Sequence, residues 1–211
     1  HTNDIVMYDF AEDHGPGAGY HGDATILRYK GMSVDWINAN IPSHLELHPS
    51  SNWLYCVDGG NKRVMRLDIT TGSMGGTPSF GPNETVEMYT NVNGATFEEV
   101  VTTGLDQPSG IDVIDNYMVV SDHANGDIIF YDIANMPAVE LGRVTTEPGV
   151  TGVVIGPDGR VWYVNVLQST VNRLEPTEII SATNEIATNP NLAMTVAPNP
   201  AAHGEGLVLN Q

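Results

Sequence analysis

Basic residues are scarce in this chain: across 211 residues, eight Lys and Arg stand against 26 Asp and Glu, for a net charge of −18. So few cations exclude a nucleic-acid interface, which neutralises phosphates with clustered Lys and Arg. They equally disfavour docking on an anionic membrane, and suit a soluble protein or one that binds cations such as calcium. Cysteine is rarer still. Cys56 is the single one, so no disulfide forms within the chain, and its place in W-L-Y-C-V-D reads as a buried, small apolar residue. No apolar run reaches the roughly 18 residues that a membrane-spanning helix needs. Catalytic signatures are lacking too: there is no Ser-His-Asp ordering, no nucleophile elbow and no convincing pair of carboxylates.

What the chain does have is an internal repeat. Residues 107–133 hold three short apolar runs, 111–114, 117–121 and 128–133, cut by Asp-Asn and Asn-Gly turns. Runs of that length, rich in Ile, Val, Tyr and Phe, read as consecutive antiparallel strands. Residues 42–68 and 150–175 repeat the pattern. The ends of the second and third strands test it: Asp58 to Asp68, Asp122 to Asp132 and Asn165 to Glu175 are each 10 residues. A fourth, partial copy opens the chain, where H-T-N-D-I-V-M-Y-D-F aligns with H-A-N-G-D-I-I-F-Y-D-I after one deletion, so that His1 corresponds to His123.

With outer strands at 97–102 and 141–145, each unit holds four strands. Four-stranded units at a period of roughly 40–50 residues are the signature of propeller blades, which must stack because one blade cannot bury both its faces. The expected fold is therefore all-β: a β-propeller of four-stranded antiparallel blades, with about four blades visible and six when complete. Because the chain opens at a third strand, other segments or chains are expected to complete it. The expected division is a partial propeller over 1–180, a linker over 181–192 and the start of a C-terminal β-module over 193–211. Residues 13–23 are a Gly-rich insertion carrying two His and two Asp, and 70–96 a second insertion expected to form a long loop on one rim. Asn83-Glu84-Thr85 is a glycosylation sequon.

The repeat resembles the NHL family of propellers over residues 1–175. The likeness lies in Pro108-Ser109-Gly110-Ile111, Ser121-Asp122, Asn125-Gly126-Asp127-Ile128 and Tyr131-Asp132, with residues 57–64 as the nearest copy of the family core. Such propellers include scaffolds, sugar- or nucleic-acid-binding modules, lactone hydrolases and an amidating lyase. The lyase places metal-binding histidines near inner strands; the equivalent positions here are His44, Gly110 and Gly152, so one of three is His. The tail, through Val196-Ala197-Pro198-Asn199-Pro200, resembles the start of the type IX secretion sorting domain of Bacteroidetes-like bacteria. That implies an extracellular or outer-membrane-surface protein.

In propellers, the second-to-third-strand loops and the connections into the next blade converge on one end of the axis. That end is expected to gather His1, Asn3, Ser43, His44, Asp58, Asn61, Ser109, Asp122, His123, Asn125 and Gln168. Two functions fit it. One is a secreted or surface module that binds a protein or glycan. The other is a metal-dependent hydrolase, lyase or oxidoreductase, with His44, Asp58, Asp122 and His123 as ligands or acid–base groups.

Overall fold

A computed structural model of the chain describes residues 3–11, 21–82 and 85–176, and the backbone of the strand Met194–Pro198. His1, most of the 13–23 insertion, two residues of the sequon and most of the region after 176 lie outside the described residues. The fold is all-β, in four sheets of four strands.

The third sheet shows the unit most plainly. Strands β9 (Pro108–Ile114), β10 (Tyr117–Asp122), β11 (Asp127–Asp132) and β12 (Val139–Thr145) pair antiparallel in chain order. The second sheet orders β3 (Leu45–Leu47), β4 (Trp53–Asp58), β5 (Arg63–Asp68) and β8 (Phe97–Val101) in the same way. In the fourth sheet, β13 (Val150–Ile155), β14 (Val161–Asn165) and β15 (Thr170–Pro176) are followed by β16 (Met194–Pro198), which runs antiparallel along β15. Residues expected to open a C-terminal module thus supply this sheet's outer strand.

The ten-residue spacing has a concrete cause. Asp58 pairs with Arg63, Asp122 with Asp127 and Asn165 with Thr170, so each hairpin closes through the same four-residue loop. The last loop residue is left-handed every time: Lys62 at φ 55°, Gly126 at 71° and Ser169 at 55°. Asn3, which precedes Asp4 as Gly126 precedes Asp127, has φ 54° two residues before β1 (Ile5–Asp9). The opening segment therefore keeps the backbone signature of the repeat.

The first sheet departs from expectation. Beside β1 and the antiparallel β2 (Thr25–Tyr29), it contains β6 (Ser73–Met74) and β7 (Met88–Asn93), in the order β1-β2-β7-β6. Both added strands come from the 70–96 insertion, which leaves the second sheet after β5 and returns to it at β8. It is not simply a long rim loop, and this sheet is not wholly antiparallel, because β7 runs parallel to β2 from Thr25↔Met88 to Tyr29↔Val92. The physical reason is the outer edge of β2: its backbone N–H and C=O groups need partners, and the returning hairpin supplies them.

Three apolar clusters join the sheets in sequence. Ile5, Tyr29 and Val92 meet Cys56, Met65 and Leu67 between the first and second sheets, where the Tyr29 hydroxyl also donates to the Ile69 carbonyl at 2.8 Å. Tyr55, Val57 and Val64 meet Ile111, Met118, Val120 and Ile129 between the second and third. Val119 and Ile128 meet Val153, Val161, Tyr163 and Leu174 between the third and fourth.

Polar ties run between successive sheets near their first strands. Ser109 donates to the Pro42 carbonyl at 2.7 Å, and its own carbonyl accepts from the His44 N–H at 3.0 Å. The Ser121 hydroxyl accepts from the Gly110 N–H and donates to the Thr151 carbonyl, both at 2.8 Å. Asp112 accepts from the Ile155 N–H at 2.5 Å. This approach is why residue 110 is glycine: a Cβ there would lie 2.2 Å from the Thr151 oxygen.

Candidate functional site at the loop end

The hairpin loops and the connections leading into β3, β9 and β13 lie together at one end of the sheets. Gly60 N–H donates to the Asp35 carbonyl at 2.9 Å, and His123 N–H to the Gln107 carbonyl at 2.9 Å. Gly149 N–H donates to the His123 carbonyl and Val166 N–H to the Gly149 carbonyl, each at 2.9 Å. Each lead-in is thereby stitched to a neighbouring hairpin loop.

Asp58, Asp122 and Asn165, at the ends of the three second strands, make these stitches rigid. Asp58, with no exposed surface, accepts from the Asp35 N–H at 2.7 Å, the Asn61 amide at 2.9 Å and Arg63 Nε at 2.6 Å. Asp122, equally buried, accepts from the N–H groups of Asp106 at 2.6 Å, Gln107 at 3.1 Å and Ala124 at 3.2 Å. Asn165 reverses the polarity on one side: its amide donates to the carbonyls of Glu147 and Pro148, both at 3.0 Å, while its Oδ1 accepts from the Gln168 N–H. A buried carboxylate needs its lone pairs met, and here the protein's own donors meet them. These side chains latch a sheet's hairpin loop to its lead-in.

The other expected site residues scatter. His44 is half-buried before β3, and burial lowers its pKa from the ordinary histidine value. Its Cε1 lies 3.7 Å from where a Gly152 Cβ would stand, so two of the three positions compared with the lyase do approach each other. The third, Gly110, has no room for any side chain. Ser43 keeps a buried hydroxyl without a hydrogen-bond partner among the described residues. His123 is half-buried, and Asn125, Asn61 and Asn3 are exposed. Among the described residues no three His, Cys, Asp or Glu side chains gather to hold a metal ion, so His44, Asp58, Asp122 and His123 are not brought together as a ligand set.

A concave feature at this end lies elsewhere on it. A cleft of about 260 Å³ is lined by Asp35, Trp36, Ile37, Gly59, Gly60, Lys62, Asp106 and Gln107. Its floor depends on the paired glycines. A Cβ on Gly60 would lie 2.9 Å from Asp35, and one on Gly59 3.0 Å from the Pro108 carbonyl and 3.1 Å from Ile37. Lys62 Nζ meets Asp106 Oδ1 at 2.5 Å across one wall. Trp36 is 59% exposed, unusual for so large an apolar residue, and its backbone N–H donates to Asp35 Oδ1 at 3.0 Å. Of the lining residues, none was among those expected from the sequence. The available signal was the Gly59-Gly60 pair and an Asp-Trp dipeptide in the lead-in to β3.

Compared with models of protein families and with curated proteins, the chain matches none.

Proposed function

We propose that the four sheets are successive blades of an NHL-like β-propeller, and that the protein is a secreted or cell-surface recognition module working through its loop end. Stacking supports the architecture: each apolar cluster joins one sheet to the next, and the polar ties run along first strands. Export is supported by residues 196–200 alone.

The observation that carries the recognition reading is the exposed Trp36 lining a polar cleft with an exposed Lys62–Asp106 pair on one wall. An amphipathic ring in a preformed hollow offers apolar contact beside hydrogen-bonding groups at little entropic cost. At about 260 Å³ the cleft lies just below ordinary small-ligand pockets of roughly 300–1,000 Å³, the scale of a small ligand. Its mixture of one cation, two carboxylates and an amide suits a neutral, hydroxyl-rich ligand, so a glycan is the better fit than a protein.

The test is titration of the full chain with neutral oligosaccharides, followed by Trp36 fluorescence and calorimetry. A binder should lose affinity at least about tenfold, or ~1.4 kcal/mol, in Trp36→Ala. Binding unchanged by that substitution, or no binding by any neutral glycan, would remove the cleft from the function.

A further inference from the structure

Asparagine is followed by glycine twice in the chain, at Asn93-Gly94 and Asn125-Gly126. The dipeptide carries a reaction of its own. The glycine nitrogen attacks the asparagine Cγ, the new N–Cγ bond closes a five-membered succinimide, and the Cγ–Nδ2 bond breaks. The glycine N–H proton leaves with the amide nitrogen as ammonia. Water then adds to one ring carbonyl or the other, giving aspartate or isoaspartate. Glycine favours the attack because no side chain shields its nitrogen. The fold decides whether that nitrogen and the carboxamide are free to meet.

The two sites share a backbone conformation and little else. Gly94 and Gly126 are both left-handed, at φ 68° and 71°. At 126 the glycine is held from both ends. Its N–H donates to the Asp122 carbonyl at 3.0 Å, while its carbonyl accepts from the Thr146 N–H at 2.9 Å and the Thr146 hydroxyl at 2.8 Å. The loop also presses on the next lead-in: a Cβ on Gly126 would lie 2.5 Å from the Thr146 carbonyl oxygen and 2.6 Å from Glu147. None of this holds at 94. Among the described residues, neither the Gly94 N–H nor the Asn93 carboxamide has a hydrogen-bond partner. Both residues are exposed, and a Cβ on Gly94 would meet nothing within 4 Å.

We propose that Asn93 is a site of spontaneous conversion to isoaspartate in the folded protein, that Asn125 is protected, and that the conversion loosens the junction between the first and second sheets. In isoaspartate the main chain runs through Cβ and is one bond longer, and the α-carboxylate is left as a charged side group. That extra bond enters a stretch fixed at both ends. Before it, the Val92 carbonyl accepts from the Lys30 N–H at 2.9 Å. After it, Ala95 is 7% exposed within the apolar cluster between the two sheets. The Thr96 N–H then donates to Thr71 Oγ1 at 2.8 Å, and its carbonyl accepts from the Asp68 N–H at 2.9 Å. Water is the only co-reactant, and the inference is independent of any ligand in the Trp36 cleft.

The experiment ages the full chain in mildly alkaline buffer made with heavy-oxygen water, once folded and once in urea. Both peptides are mapped by mass, and isoaspartate is read with a protein-isoaspartate methyltransferase. In urea the two sites should convert at similar rates. In the folded chain Asn93 should convert at least about tenfold faster than Asn125, whose glycine must first give up a hydrogen bond and a packed contact. In the isoaspartyl fraction the Lys30 amide should exchange with solvent faster than in Asn93→Asp, which carries the charge without the extra bond. Equal conversion of the two asparagines in the folded chain, conversion of neither, or identical Lys30 exchange in the isoaspartyl fraction and Asn93→Asp would each overturn the proposal.

Discussion

Asp58 and Asp122 illustrate how a residue's chemistry depends on its partners. By type and position they were candidate metal ligands. In the fold, backbone amides and neighbouring side chains occupy the carboxylates, and Asn165 performs the equivalent task with an amide. His44 invites a quantitative test. Burial lowers its folded pKa, so the unfolded chain, with a histidine titrating near ~6.5, binds the proton more readily. Its contribution is therefore intact above that value and lost as pH falls below it and on through the lower folded pKa. Denaturant midpoints of the native chain and His44→Gln should diverge between pH 7.5 and 5, the native chain losing more. Parallel curves would mean that His44 is solvated in the fold. Cys56 is a contrast: burial, with Asp58 nearby, pushes its thiol up to about 12, so it is inert as a nucleophile at neutral pH.

At the scale of elements, strands and hairpins were legible because period-2 apolar runs and turn residues are local signals. The ten-residue spacing was legible for the same reason, since it encodes one hairpin with one loop geometry. The parallel docking of β7 on β2 was not: Gly- and Pro-rich flanks mark a loop, and nothing local tells a hairpin which distant edge it will meet. Nor was the Trp36 cleft, which brings residues 35–37, ahead of the repeat, against repeat loop residues from two other connections. The contact between β9 and β13 makes the sharpest prediction at this scale. Gly110→Ala sets a methyl against the Thr151 carbonyl, and should cost about 3 kcal/mol, the upper end of overpacking penalties. The denaturant midpoint of the variant reads this directly; an unchanged midpoint would show that the third and fourth sheets are not held so close.

Across the whole molecule, the apolar clusters link neighbours in sequence, so the second and third sheets are covered on both faces by other sheets. Hydrogen exchange should accordingly be slowest for amides of β4, β5, β10 and β11, and faster for β1 and β15, whose sheets sit at the ends of the series. Uniform protection would indicate one indivisible cooperative unit. The latches at Asp58, Asp122 and Asn165 carry a further consequence. Each binds a sheet to its own lead-in, so a unit contains most of what it needs to close itself, and its debts to others reach only to the next in line. A chain built on those terms can gain a unit by tandem duplication of its gene segment, or exchange one by recombination, without rewriting the units further along.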